Sequence, residues 1–281
     1  MNNARQRIGF VLAATSHGPL IVNRLDYHIV DKEKNTGYGV GFQLLEQSAF
    51  DPGEINLSVS LLDLRRKYFG DGVMVIDCGA NIGVHTVEWA RHMTGWGRVL
   101  AIEAQQRIFY ALAGNIALNN CFNATAVHAA VAVEGGSISI PQPDYLKPAS
   151  FGSLELKQRP NTEFIGQVID YSSARTVAIP CVAIDALALD RVDFIKLDVE
   201  GMEAEALAGA SEVIARHRPI IMVEWIKSAK PHLAGILQGA GYSVFEFGIN
   251  LLAVHPSDGS LGHITGAPLG PVGPAERASA G

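Results

Sequence analysis

From Val73 onward the chain alternates short, continuously apolar runs with stretches of helical spacing, and no other feature constrains the fold as strongly. Runs of that kind suit strands buried on both faces, the pattern of a parallel sheet covered by helices. Strands are expected over residues 73–78, 98–102, 124–131, 194–197 and 220–223, with helices over 84–93, 107–119 and 203–216. Right-handed crossovers join them into one doubly wound sheet. Two further strands, 242–247 and 251–254, are separated only by Gly248-Ile249-Asn250, which leaves no room for a crossover helix. The sheet is therefore expected to end in an antiparallel hairpin, an unusual ending for a dinucleotide-binding fold.

Residues 1–70 precede this body as a lead-in of short strands and a helix. The apolar run 8–14 follows Arg5 and Arg7 but is short for a signal-peptide core and continues into Pro19-Leu20-Ile21-Val22, so it reads as a strand. Residues 57–69 read as an amphipathic helix, with Leu61, Leu62, Leu64 and Tyr68 on one stripe and charged residues between them. The main domain is expected over 71–256. Within it, residues 141–178 are rich in Pro, Gly, Ser and Gln yet hold Tyr145, Phe151, Phe164 and Tyr171. That stretch reads as a substrate-side excursion, with aromatic rings that anchor it or stack on a ligand. After His255-Pro256 a flexible tail, 257–281, is expected.

With 281 residues, 48% of them hydrophobic, the chain can bury a substantial core. A net charge of −6 without a Lys/Arg block offers no footprint for nucleic acid or an anionic membrane. No run approaches the roughly 20 apolar residues of a membrane span. Cys78, Cys121 and Cys181 form no C-x-x-C pair, so neither a disulfide framework nor a zinc site is indicated, and a cytoplasmic location is expected.

The first strand runs into Gly79-Ala80-Asn81-Ile82-Gly83 and then a helix. Glycines at 79 and 83 allow the sharp bend and the close approach of a flat ligand. The dinucleotide fingerprint would need glycines at 79, 81 and 84, where this chain has Asn81 and Val84. Asp77, just before the loop, would repel a pyrophosphate but suit an ammonium group. Glu103 ends the second strand, where a carboxylate accepts hydrogen bonds from ribose hydroxyls. Together they favour a ribose-containing, phosphate-free, cationic cofactor.

These stretches resemble the FkbM-type methyltransferases. The likeness rests on Ile76 to Thr86, Asn115-Ile116-Ala117-Leu118-Asn119, Phe194-Ile195-Lys196-Leu197-Asp198-Val199-Glu200-Gly201-Met202-Glu203, Leu207-Ala208-Gly209-Ala210 and Pro219 to Glu224. The resemblance implies a class I methyltransferase fold, an α/β body with a mostly parallel seven-stranded sheet and helices on both faces. It implies S-adenosylmethionine as methyl donor, S-adenosylhomocysteine as product, and O-methylation of a sugar or secondary metabolite, the partner being a small-molecule or glycan hydroxyl. It places cofactor contacts at Asp77, Gly79, Asn81, Gly83, Thr86, Glu103, Ala104 and Asp198. Many members have proline after the second-strand acid; this chain has Ala104.

Methyl transfer is an in-line displacement that positioning alone accelerates greatly, and a general base helps a neutral hydroxyl. Asp198, Glu200 and Glu203 surround the end of the fourth strand and Glu224 ends the fifth; of these carboxylates Asp198 and Glu224 are the candidate base or acceptor-positioning residues, with His232 as the acceptor-side histidine. A resident metal is not expected, although oxygen ligands of this kind suit Mg²⁺. The competing readings are an NAD(P)-dependent oxidoreductase, on the same loop and Glu103, and a catalytically silent cofactor-binding scaffold. No Asp/Asn-Pro-Pro-aromatic motif follows the fourth strand, which disfavours base N-methylation.

Overall fold

The computed structural model of the chain describes residues 8–31 and 36–272. The expected Arg5 and Arg7 flank of the first apolar run lies outside them. That run forms β1 (Phe10–Thr15), which pairs antiparallel with β2 (Gly18–Asn23), and β3 (His28–Asp31) pairs with β4 (Thr36–Tyr38). Two helices follow, α1 (Val40–Gln47) and α2 (Pro52–Phe69). The second starts five residues earlier than its apolar stripe suggested, because Pro52 suits a first turn whose N–H groups lack partners anyway.

The central sheet contains β5 (Val73–Cys78), β6 (Gly97–Glu103) and β7 (Ala124–His128), with α3 (Val84–His92) and α4 (Gln106–Leu118) as crossovers. The expected strand 124–131 is broken at Ala129, and Ala130–Val131 becomes β8, which leaves for a different sheet. There it joins β9 (Gly136–Pro141) and β10 (Thr176–Val182), an antiparallel pair not foreseen from sequence. The excursion is thus the long connection of a hairpin, with both its ends tied down.

The chain then returns through β11 (Phe194–Leu197), which pairs parallel with β5 on its far side from β6. The expected single helix 203–216 is two, α5 (Glu203–Ala208) and α6 (Ser211–His217). Asp185 restarts the second by accepting from Glu212 N at 3.0 Å and Val213 N at 2.8 Å. Strand β12 (Ile220–Glu224) is followed by α7 (Lys230–Gly239), absent from the expectation, and then by the antiparallel β13 (Ser243–Phe247) and β14 (Asn250–Val254). The sheet order is β13-β14-β12-β11-β5-β6-β7, mostly parallel with one antiparallel hairpin edge.

Successive residues of each strand face opposite layers. Ile76, Ile102, Ile195, Leu197 and Ile221 pack with Ala206, Leu207, Ile214, Leu233 and Leu237 of α5 to α7. Val75, Val99, Phe194, Ile220 and Met222 pack with Leu61, Leu62, Val87 and Trp89 of α2 and α3. Past His255-Pro256 the chain does not leave this body at once. A 3-10 turn at Gly259–His263 follows Asp258, whose carboxylate lies 2.5 Å from the buried Arg65 of α2. Residues 273–281 of the expected tail lie outside the described residues. Among the described residues, no helix is long and apolar enough to cross a membrane.

Candidate active site

The chain order reverses between β5 and β11, and in open α/β sheets the crevice at the carboxyl ends of such strands is where ligands bind. Here a cavity opens at that point. Its floor is the loop after β5. Gly79 (φ 78) and Ala80 donate their N–H groups to Ile102 O at 2.9 and 3.0 Å, folding the loop back on β6. A Cβ at Gly79 would fall 1.7 Å from Asp198 O, so glycine is what lets this loop press on the one after β11. Asn81 takes the left-handed conformation (φ 51) that asparagine tolerates.

Glu103, buried at the end of β6, lines the cavity and accepts from Asn81 N at 2.9 Å and Gln105 N at 2.7 Å. Burial pushes its carboxyl up to about 7 against those backbone donors. Asp77 and Thr86 sit differently from the expectation. Both are buried beneath the loop and off the cavity lining, where Thr86 Oγ1 donates to Asp77 Oδ2 at 2.6 Å and ties β5 to α3. Gly83 is also off the lining; a Cβ there would meet Leu112 at 2.5 Å, so it serves the packing of α4.

Across the cavity stands an ionic cluster. Lys196, 5% exposed on β11, lies 2.9 Å from Asp198 Oδ2 and 3.8 Å from Glu54 Oε1. Glu54, from the first turn of α2, also accepts from Asn250 Nδ2 at 2.8 Å and faces His85 Nε2 at 3.1 Å. Burial would raise the Glu54 carboxyl, but the Lys196 ammonium and His85 bring it down to about 2. Burial acts likewise on Asp198, where Lys196 and a hydrogen bond with Glu224 prevail and hold it below the ordinary carboxylate value. Glu224 goes the other way: burial and the adjacent Asp198 charge push it far above neutral. The two therefore share one proton, which Glu224 carries and donates.

A second ionic knot closes the wall between the excursion and the strand ends. Lys227 Nζ donates to Ser153 O at 2.7 Å and lies 2.8 Å from Glu163 Oε2 and 3.1 Å from Glu200 Oε2. The Tyr38 hydroxyl donates to Glu163 Oε1. Asp26, itself buried, accepts from Gly41 N at 3.0 Å and Phe151 N at 2.8 Å, joining the start of α1 to the excursion. Phe151 is fully buried and packs tilted against Tyr145, with ring centroids 4.8 Å apart, so these rings anchor the excursion.

Of the residues expected at the site, Gly79, Asn81, Glu103, Ala104, Asp198 and Glu224 meet on one cavity. His232 does not join them. It stands in the first turn of α7 and lines a separate depression with Arg159 and Ser228. Sequence reasoning missed Glu54, Tyr38 and Lys227, and had quoted Lys196 without assigning it a task. Lys196 carried a signal, a charged residue inside an otherwise apolar buried strand. Glu54 carried none, since an acid in a helix's first turn ordinarily serves the helix dipole. Among the described residues, no group of three or more His, Cys, Asp or Glu side chains is placed to hold a metal ion.

A seven-stranded sheet with an antiparallel edge, and a glycine loop and strand-end carboxylate at its switch point, define the class I S-adenosylmethionine-dependent methyltransferases. The methyltransferase FkbM domain matches residues 77–244, and the chain belongs to that family of enzymes. The oxidoreductase reading gives way to this assignment. Among solved structures the chain is similar to the methyltransferase FkbM from Methylobacillus flagellatus KT, at 20% identity and TM-score 0.44, over 68% of this chain and 48% of that one. It therefore spans about half the length of that protein. It is also similar to precorrin-6y C5,15-methyltransferase from Geobacter metallireducens GS-15, at 16% identity and TM-score 0.40, over 73% and 88% of the two chains. A third is a SAM dependent methyltransferase from Aquifex aeolicus, at 18% identity and TM-score 0.36, over 73% and 97%. No curated protein matches the chain.

Proposed function

We propose that the protein transfers a methyl group from S-adenosylmethionine to a hydroxyl of a small molecule or glycan. The observation that carries this reading is the carboxyl–carboxylate pair Glu224–Asp198 on the cavity that Gly79 and Glu103 also line. The donor residues fit the cofactor: Glu103 keeps lone pairs free for ribose hydroxyls after meeting its two backbone donors, and Gly79 leaves the backbone open to close approach. Bound there, the cofactor supplies an electrophilic methyl group on a sulfonium. Asn81 and Ala104 would hold the nucleoside, and Asp198 would serve both cofactor and acceptor. Asp198 and Glu224 would line the acceptor's side of the cavity, where the pair orients the oxygen for in-line attack. One net charge on two carboxyls suits an uncharged hydroxyl better than a protonated amine, which two ionised carboxylates would favour.

The test has two stages. Calorimetric titration with S-adenosylhomocysteine is expected to show binding where NADH shows none. Glu103→Gln is expected to weaken it about ten- to hundredfold, the equivalent of ~1.5–3 kcal/mol for a charged hydrogen bond. Radiolabelled methyl transfer to matched panels of hydroxyl and amine compounds then identifies the acceptor class. Labelling confined to amines would remove the O-methylation reading.

A further inference from the structure

The turn between β11 and α5 carries a carboxylate to which the reading above gives no task. Glu200 lies on the cavity lining beside Asp198 and Glu224. Its backbone is left-handed, at φ 53, a conformation that disfavours any residue with a Cβ and is followed by Gly201 at φ 94. Neighbouring contacts hold the turn there. Glu203 Oε1 accepts from Val199 N at 3.2 Å and Gly201 N at 3.0 Å. The Arg159 guanidinium covers Gly201, where an added Cβ would come within 2.6 Å of it, and Arg159 Nη1 donates to Lys227 O at 2.7 Å. A strained residue over-determined by its surroundings at a cavity wall points to a side chain aimed for function. Its Oε2 is buried, 3.1 Å from Lys227 Nζ, so one oxygen is anchored while the carboxyl still lines the cavity.

We propose that Glu200 is the general base of methyl transfer, taking the proton of the acceptor hydroxyl, and that Lys227 is the positioning residue that holds it. The inference rests on the O-methyltransferase reading above. The acceptor O–H bond breaks toward Glu200 Oε1 as the oxygen forms its bond to the methyl carbon. The carbon–sulfur bond breaks with its electron pair going to sulfur, which becomes a neutral thioether. Glu200, 17% exposed along its side chain, then returns the proton to water.

The other two carboxyls are poorly suited to the step. Asp198 is bound by Lys196 and Glu224 and is a weak base, and Glu224 already holds a proton. Glu200 faces Asp198, Glu203, Glu224, Tyr38 and Lys227. Burial and the Asp198 charge push its carboxyl up to about 8 against the Lys227 ammonium, close to where a general base works best at neutral pH.

The experiment compares wild type, Glu200→Gln and Lys227→Met, with S-adenosylhomocysteine affinity confirming that each variant keeps its cavity. Difference infrared titration of the enzyme without acceptor is expected to show two protonated carboxyls disappearing between about pH 6 and 9 in wild type, those of Glu103 and Glu200, and only the lower-titrating one in Glu200→Gln. With the hydroxyl found by radiolabelling, wild-type kcat should rise through about pH 8 and then level. Glu200→Gln should lose about a hundred- to ten-thousandfold and show no such rise. Lys227→Met should move the rise to higher pH, because the cation that favours the carboxylate is gone. A Glu200→Gln enzyme that turns over at the wild-type rate, or an unchanged infrared titration, overturns the assignment and leaves the methyltransferase reading intact. Wild type that labels no hydroxyl overturns both.

Discussion

Replacing Lys196 by methionine isolates what the buried cation does for the fold. The side chain keeps its length and apolar stem, and only the charge beside Asp198 and Glu54 disappears. Glu54 moves from an ordinary 4.5 down to about 2 in the folded protein: burial opposes the fall, and Lys196 leads it, with His85 and Asn250 assisting. A carboxyl depressed by folding adds stability that is fully present above its unfolded value and is lost as pH falls toward its folded one. For Glu54 that amounts to about 3 kcal/mol at neutral pH. Its side chain is 10% exposed, so solvent screening takes little from this figure. Stranding a buried partner costs about 3–5 kcal/mol in general, which agrees. Urea unfolding at pH 7 should therefore show Lys196→Met less stable by about 3 kcal/mol or more. The gap should narrow toward about pH 4, as the stranded carboxyls take up protons in the variant. A loss under about 1 kcal/mol at pH 7, or a gap independent of pH, would refute the assignment of Lys196 as the charge that organises this cluster.

Gly79→Ala should cost more than about tenfold in S-adenosylhomocysteine affinity by calorimetry, because its Cβ would sit 1.7 Å from Asp198 O; an unchanged Kd would mean the two loops part freely. Arg65→Met removes the cation shared by Asp193 (3.0 Å) and Asp258 (2.5 Å), all three side chains at most 4% exposed. It should destabilise the protein by about 3–5 kcal/mol in urea while leaving cofactor affinity of the folded protein unchanged, and a weakened affinity would link this network to the cavity.

What was legible in the sequence was whatever a local period or a short motif encodes. The bounds of β5 and β11 follow from apolar runs, the hairpin β13–β14 from its short spacer, which is Gly248-Ile249 alone because Asn250 pairs with Phe247, and the Gly79 loop and Glu103 from spacing along the first βα unit. What was illegible depends on partners far along the chain. The break between α5 and α6 is set by Asp185, 27 residues before Glu212. The helix α7 carries Pro231 in its first turn, where proline is favoured, so the proline marks the start of a helix that the apolar pattern alone does not announce. Asp77 illustrates the limit for the site. Its position before the loop invited a ligand role, but strand alternation turns it under the loop toward Thr86. Glu54 reaches the cavity only because α2 packs across the sheet, which no spacing in the sequence records.

The Asp26 carboxylate makes mechanical partners of two regions that share no sequence boundary. One oxygen grips the start of α1 and the other the excursion at Phe151, 15 and 125 residues away. The two walls over the cavity are thus hinged on a single side chain, and a change in one changes the fit of the other. A graft of the excursion from a relative with another acceptor would bring along a roof cut for a different wall. Exchange of acceptor preference within this architecture therefore calls for the segment around residues 26–54 and the segment around 142–175 to travel together.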